Sequence, residues 1–110
     1  MLHSIRVLII TTIVSTMALA DVFITEMADP NNAAGSRFVE LYNNGNSDVD
    51  LAASGMKLLR WTNGNSGPSG TGTALTGTIA AGGFYIVCNE SNNSIDDFNT
   101  MYGVACDQAA

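Results

Sequence analysis

Arg37-Phe38-Val39-Glu40-Leu41-Tyr42-Asn43 runs directly into Asn44-Gly45-Asn46-Ser47-Asp48, and this junction of an alternating stretch with a cluster of turn formers sets the fold class. Successive side chains of an extended strand point to opposite sides, so Phe38, Glu40 and Tyr42 share one face while Val39 and Leu41 share the other. The Asn/Gly/Ser/Asp cluster predicts a tight hairpin, because Asn-Gly tolerates the positive φ that such turns require.

Working outward, the same rhythm recurs. Val22 to Met27 (VFITEM) reads as a strand ended by Ala28-Asp29-Pro30-Asn31-Asn32, where proline removes a ladder donor and Asp/Asn accept turn conformations. A short edge, Val49 to Leu51, leads through Ala52 to Gly55 into Met56 to Thr62 (MKLLRWT), whose Leu59/Trp61 face is the expected core face. Asn63 to Gly72, with four glycines and one proline, reads as a mobile connection. Ala74 to Ile79 and Phe84 to Cys88 follow as strands around Ala80-Ala81-Gly82-Gly83. After Cys88 the pattern weakens: Asn89 to Asp97 reads as polar loop, and Phe98 to Tyr102 is open between one helical turn and a frayed strand. With no helix-period apolar stripe after Ala20, strands between turn clusters imply an all-β sandwich or barrel.

The amino-terminal end has a different character. Met1 to Arg6 is short and polar with one fixed positive charge, Val7 to Val14 is almost wholly apolar, and Ala18-Leu19-Ala20 places small residues before Asp21. That layout predicts a secretory signal peptide over 1–20, cut between Ala20 and Asp21, and a single domain over 21–110. Val7 to Ala20 is 14 residues, short of the about 20 that a bilayer-spanning helix needs. The expectation is therefore an extracellular protein with no membrane association once the leader is gone.

Charge and composition then exclude function classes. The 110 residues carry 4 basic and 10 acidic side chains. Loss of Arg6 with the leader brings the formal charge from −6 to −7, which repels phosphate backbones and argues against unassisted nucleic-acid binding. The single histidine, His3, lies in the leader, so the domain has no imidazole for a Ser/His/Asp triad, a Cys/His pair or a zinc–histidine site. Cys88 and Cys106 are the only cysteines, and an oxidising compartment makes them candidates for a disulfide, against the alternative of free or intermolecularly paired thiols. Asn89-Glu90-Ser91 and Asn92-Asn93-Ser94 are adjacent N-glycosylation sequons, meaningful in a eukaryotic host.

Three constellations have residue types that could carry chemistry. Glu26 and Glu40, in neighbouring strands, have the residue types of a glycosidase-type acid/base pair, but nothing nearby tunes them for it. Asp48 and Asp50, with Asn43, Asn44 and Asn46, offer oxygen ligands for calcium, yet their spacing is not that of an EF-hand loop and turn formation explains each residue. Trp61, Tyr42, Phe84 and Tyr85 have the composition of a carbohydrate-stacking platform, which alternates with core or cross-strand pairing as an explanation.

Ile24-Thr25-Glu26-Met27, Phe38-Val39-Glu40-Leu41-Tyr42-Asn43, Val49-Asp50-Leu51, Ser54-Gly55-Met56-Lys57-Leu58 and Ala81-Gly82-Gly83-Phe84-Tyr85-Ile86-Val87, in that order, resemble the lamin-tail domain over Val22 to Val87. The resemblance implies an immunoglobulin-like β-sandwich, non-enzymatic, of the secreted rather than the nuclear type, since the chain has no coiled-coil heptads. It implies that Glu26 and Glu40 are structural glutamates, one position out of register with each other. It also implies a tryptophan where Met56 stands, two extra residues at Ala52-Ala53, and further strands beyond Asp107, so the domain is expected to be truncated with an unpaired sheet edge.

Together these readings describe a secreted, non-catalytic β-sandwich without cofactor or metal, contacting an extracellular protein or glycan. The alternative is an amino-terminal ancillary module of a larger secreted nuclease or other hydrolase. Amino-terminal sequencing of the exported protein is expected to begin at Asp21, and recovery of intact Met1 in a detergent-soluble fraction would overturn the leader assignment.

Overall fold

The computed structural model describes residues 22–89 and 94–110, so the Ala20–Asp21 boundary lies outside the described residues. A main sheet of four strands has the order β1 (Val22–Ala28), β2 (Phe38–Asn43), β7 (Phe84–Cys88), β8 (Gln108–Ala109). The β1/β2 and β2/β7 pairs are antiparallel and β7/β8 is parallel. Two short antiparallel ladders form the opposing layer: β3 (Val49–Asp50) with β6 (Thr78–Ile79), and β4 (Lys57–Leu58) with β5 (Thr73–Ala74). An α-helix, α1 (Ser94–Tyr102), lies between β7 and β8 in sequence.

The alternation read from Phe38 to Asn43 is realised in the register. Val39 pairs with Val87 and Leu41 with Tyr85 on the inward side, while Glu40 pairs with Ile86 and Tyr42 with Phe84 on the outward side. Leu41, Tyr85 and Val87 are joined in the core by Val49, Leu51, Leu75 and Ile79 from the second layer, with Leu51 and Ile79 fully enclosed. Each such side chain contributes about 1.5–3 kcal/mol by leaving water.

Asn43–Asp48 is not a hairpin turn. β2 pairs with β1 and β7, β3 pairs with β6, and the segment between them crosses from one layer to the other. Gly45 is not among the positive-φ glycines. Instead the Gly45 N–H donates to Asn43 Oδ1 (2.9 Å), a side-chain-closed turn in place of the tight backbone one. Asn43 is completely buried, and its Nδ2 donates to Ser47 O (2.8 Å), Ile79 O (3.1 Å) and Ala80 O (3.2 Å). Its backbone exchanges hydrogen bonds with Gly82 and Gly83, each 3.0 Å.

The expected Leu59/Trp61 core face is also corrected. Both side chains are exposed, and Met56 and Leu58 pack against the core instead, because β4 pairs over only two residues before the chain leaves the layer. Ala74 to Ile79 is interrupted at Gly77, whose φ of +79° turns the backbone so that Gly77 O accepts from Leu51 N–H (2.9 Å). A Cβ at Gly77 would stand 3.3 Å from Tyr85 Oη, the hydroxyl that donates to Thr76 O at 2.7 Å. Burial raises the Tyr85 phenol above its usual range, the charge of Asp107 adds to this, and a hydrogen bond with the Thr76 side chain opposes it. The Asn63 to Gly72 connection is tied internally by Ser69 N–H to Arg60 O (2.7 Å) and by the Thr62 and Ser69 hydroxyls (2.6 Å).

A further correction concerns the carboxyl-terminal stretch. Residues 94–97, read as loop, are the first turn of α1, and Phe98 and Tyr102 follow on the same helix. Phe98 and Tyr102 are four apart, so they lie on one helical face and meet Phe38 edge-on, with centroids at 5.6 and 5.2 Å. After Cys106 the chain adds β8 along the edge of β7. Ala110 N–H donates to Cys88 O (2.8 Å), Asp107 N–H to Ile86 O (2.9 Å), and Ile86 N–H to the Asp107 carboxylate (2.7 Å). Gln108 reaches back to the second layer, donating to Ala74 O (2.9 Å) and accepting from Thr76 N–H (3.0 Å).

Asn43→Ala leaves buried carbonyls and one amide without their partner, so urea unfolding is expected to show a loss of about 3 kcal/mol. A loss below about 1 kcal/mol would mean that water replaces the side chain there.

Candidate binding groove

A β-bulge between Ile24 and Glu26 brings Glu26 directly opposite Glu40, not one position out of register. Thr25, the bulged residue, donates its hydroxyl to Glu40 Oε1 at 2.8 Å. That bond comes from a strand side chain. The pair lies on the outward side of the main sheet and lines neither cavity described below. Asp48 Oδ1 accepts from Ala81 N–H (3.0 Å) and Asp50 Oδ1 from Ala53 N–H (2.9 Å), so these carboxylates close two different turns rather than converging on one point.

The four aromatic residues considered together in the sequence are divided by the fold. Tyr85 faces the core and Trp61 is exposed in the loop after β4. Tyr42 and Phe84 stand on the outward face beside Phe23, which the sequence did not single out. Tyr42 and Phe84 are 4.7 Å apart at 31°, and Phe23 meets Tyr42 edge-on at 5.7 Å. The rings thus face one another as cross-strand pairs, which stabilises the sheet and leaves no flat surface of coplanar rings.

Asn89, the first sequon residue, donates its Nδ2 to Ala34 O at 3.0 Å. Asn92, the second, lies outside the described residues. Cys88 and Cys106 are joined in a disulfide with Cα atoms 6.0 Å apart, which ties the buried end of β7 to the segment entering β8.

The sequence reading did not anticipate two adjoining concavities. An open groove of about 270 Å³ runs between the inward face of the main sheet and β4, floored by Val39, Val87, Leu58 and Ala110, with Met27 at one side. Arg37 and Arg60 stand on its rim. Arg37 Nε donates to Asp29 Oδ1 (2.8 Å) and its Nη2 to Asn32 Oδ1, so this guanidinium is held in place. Arg60 has no side-chain partner among the described residues. A second hollow of about 300 Å³ shares Leu58, Arg60 and Ala110 with the first and continues past Ser69 and Thr73. The arrangement can hold an apolar group against the floor while Arg60 meets an anion. Nothing in the pattern of any one strand signals it, because the groove arises where two layers of unequal width meet.

Comparison with protein families matches the lamin tail domain over residues 15–109. The chain belongs to that family. Comparison with curated proteins and with solved structures found no match. As a lamin tail domain, the chain has the β architecture expected from the resemblance, and both departures find places in it. Met56 is partly buried against the core where the resemblance implied a tryptophan. Ala52 and Ala53 extend the turn after β3, closed by Ser54 N–H to Asp50 O (3.0 Å) and Gly55 N–H to Ala52 O (3.0 Å). No helix among the described residues of this lamin tail domain is long and apolar enough to cross a membrane.

The Cys88→Ala, Cys106→Ala double variant is expected to lose about 3 kcal/mol of stability, as freeing an 18-residue separation does in the chain-entropy description. Thermal melts of native and variant protein measure it, and unchanged melting would show that α1 and β8 hold without the bond.

Proposed function

We propose that this lamin tail domain is an extracellular, non-catalytic contact module and that the groove beside β4 is its binding site. The observation that carries this reading is the combination of an apolar floor with a rim cation, Arg60, that has no side-chain partner among the described residues. A concave apolar surface with a few converging polar groups is where ligands bind in most proteins. The disulfide supports an oxidising compartment, in keeping with the signal-peptide layout of residues 1–20. The outward aromatic row supports the reading from the other side, since its rings are engaged with each other.

Anilinonaphthalene sulfonate, an apolar anion, is the simple probe. The native protein is expected to bind it with enhanced fluorescence. Met27→Asp, at an exposed wall position, and Arg60→Glu should each weaken the binding about fivefold or more, while Phe84→Ala on the opposite face should leave it unchanged. Loss of binding in Phe84→Ala alone would move the site to the outward face and overturn the assignment.

A further inference from the structure

Strand β1 is seven residues long and outermost in the main sheet, so one side of its backbone has no partner among the described residues. Its inward residues continue the core face across the register, Ile24 opposite Leu41 and Met27 opposite Val39. Yet Ile24 is 47% and Met27 73% exposed, against 5% for Leu41, because the second layer stops short of β1. Protected edges are short, charged or covered. β1 has one charged residue, Glu26, on its outward side, and its bulge at Thr25 is local. The opposite edge strand, β8, has only two residues.

The open edge and the groove are continuous. Met27 and Ala28 at the end of β1, with Asp29 just after it, line the groove that Arg60 also lines. On the reading of the groove as a binding site, we infer that an extended segment of a partner protein adds to β1 as a further antiparallel or parallel strand. Alternate apolar side chains of that segment cover Ile24 and Met27 and enter the groove, and one carboxylate meets Arg60. Main-chain bonds to an edge strand supply affinity in such complexes, and pockets for alternate side chains supply selectivity. Charge complementarity specifies the acid: Arg37 is already bonded to Asp29, leaving Arg60 as the rim cation without a side-chain partner among the described residues. The chain's overall charge of −6 restricts it to a lone carboxylate among apolar and neutral residues, since an acidic run would be repelled. The same net charge opposes a second copy of this chain as the occupant, and such pairing would leave Arg60 unmet.

The test uses short synthetic peptides that alternate valine with threonine around one central glutamate, added to the full chain. The glutamate peptide is expected to bind, to slow hydrogen exchange of β1 amides and to shift the Met27 methyl resonance. Replacing the peptide glutamate by lysine should weaken binding about tenfold, and Arg60→Glu should reverse that preference. N-methylation along one edge of the peptide should abolish binding, whereas N-methylation along the other should preserve it. If both methylated peptides bind equally and β1 exchange is unchanged while the Met27 methyl still shifts, edge pairing is refuted and the groove reading stands. If Met27 is silent to every peptide yet still governs dye binding, the peptide assignment falls alone; if neither responds, both fall. Sedimentation showing that the protein pairs with itself through β1 in the absence of peptide would overturn the inference in favour of a second copy.

Discussion

Asn43 is the point on which the two layers depend. A side chain with two donors and an acceptor is buried at the end of β2, and every one of those positions is used: Gly45 on its oxygen, and carbonyls of Ser47, Ile79 and Ala80 on its nitrogen. The backbone of the same residue is bonded to Gly82 and Gly83 at the start of β7. One residue therefore fixes the departure of the chain from the main sheet, the end of β6 in the second layer, and the return into β7. Leaving buried backbone carbonyls without donors costs more than such a bond contributes when made, so the satisfied geometry is strongly preferred over near alternatives. A residue that accepted at Gly45 but could not donate, such as aspartate, would leave the second layer unattached at this corner.

The groove follows from the same layering. β1, β2 and β7 make a broad surface, while the facing layer consists of two ladders of two residue pairs each. Such ladders cover Leu41 and Val87 but cannot reach Ile24 and Met27. Apolar surface left open beside a packed core is where a partner gains most from burial, and it is retained here at a strand whose edge is also unpaired. Arg37 and Asp29, both more than a third exposed, contribute little stability as an ion pair, but they orient the rim beside that surface.

What the sequence revealed divides along physical lines. β1, β2 and β7 were readable because each combines alternating or β-branched residues with a bounded length, and the inward face of Val39 and Leu41 followed from the period of two. The pairing of Cys88 with Cys106 was likewise accessible from composition and compartment. The Asn-Gly turn misled because local turn chemistry is the same whether the side chain serves a hairpin or a buried crossing, and only the tertiary partners of Asn43 decide. Leu59 and Trp61 misled because an apolar alternation promises a face but not a ladder long enough to keep it buried. Helix α1 is open in the sequence between a helical turn and a strand, and its start at Ser94 reads as loop, since its signal is a single pair, Phe98 and Tyr102, too short for a periodic stripe. Of the site, neither the role of Arg60 nor the concavity was legible, because the groove's walls are far apart in the chain.

The carboxyl-terminal segment shows how few residues suffice to complete a sheet when several kinds of bond coincide. β8 contributes two residues of ladder, which alone would be marginal. The Asp107 carboxylate and amide both bond Ile86, Ala110 bonds Cys88, and Gln108 reaches Ala74 and Thr76 across the layers. The disulfide closes the loop that contains α1, whose Phe98 and Tyr102 in turn cover Phe38 on the outward face. Cys88 and Val87 thus belong at once to the helix attachment, the β8 ladder and the groove wall. A group bound in the groove would press on Val87 directly, and through the neighbouring Cys88 it would bear on the disulfide that cross-links β7 to the segment entering β8. Binding at the groove and the integrity of the carboxyl-terminal attachment are therefore coupled by adjacency in one strand, without any long relay between them.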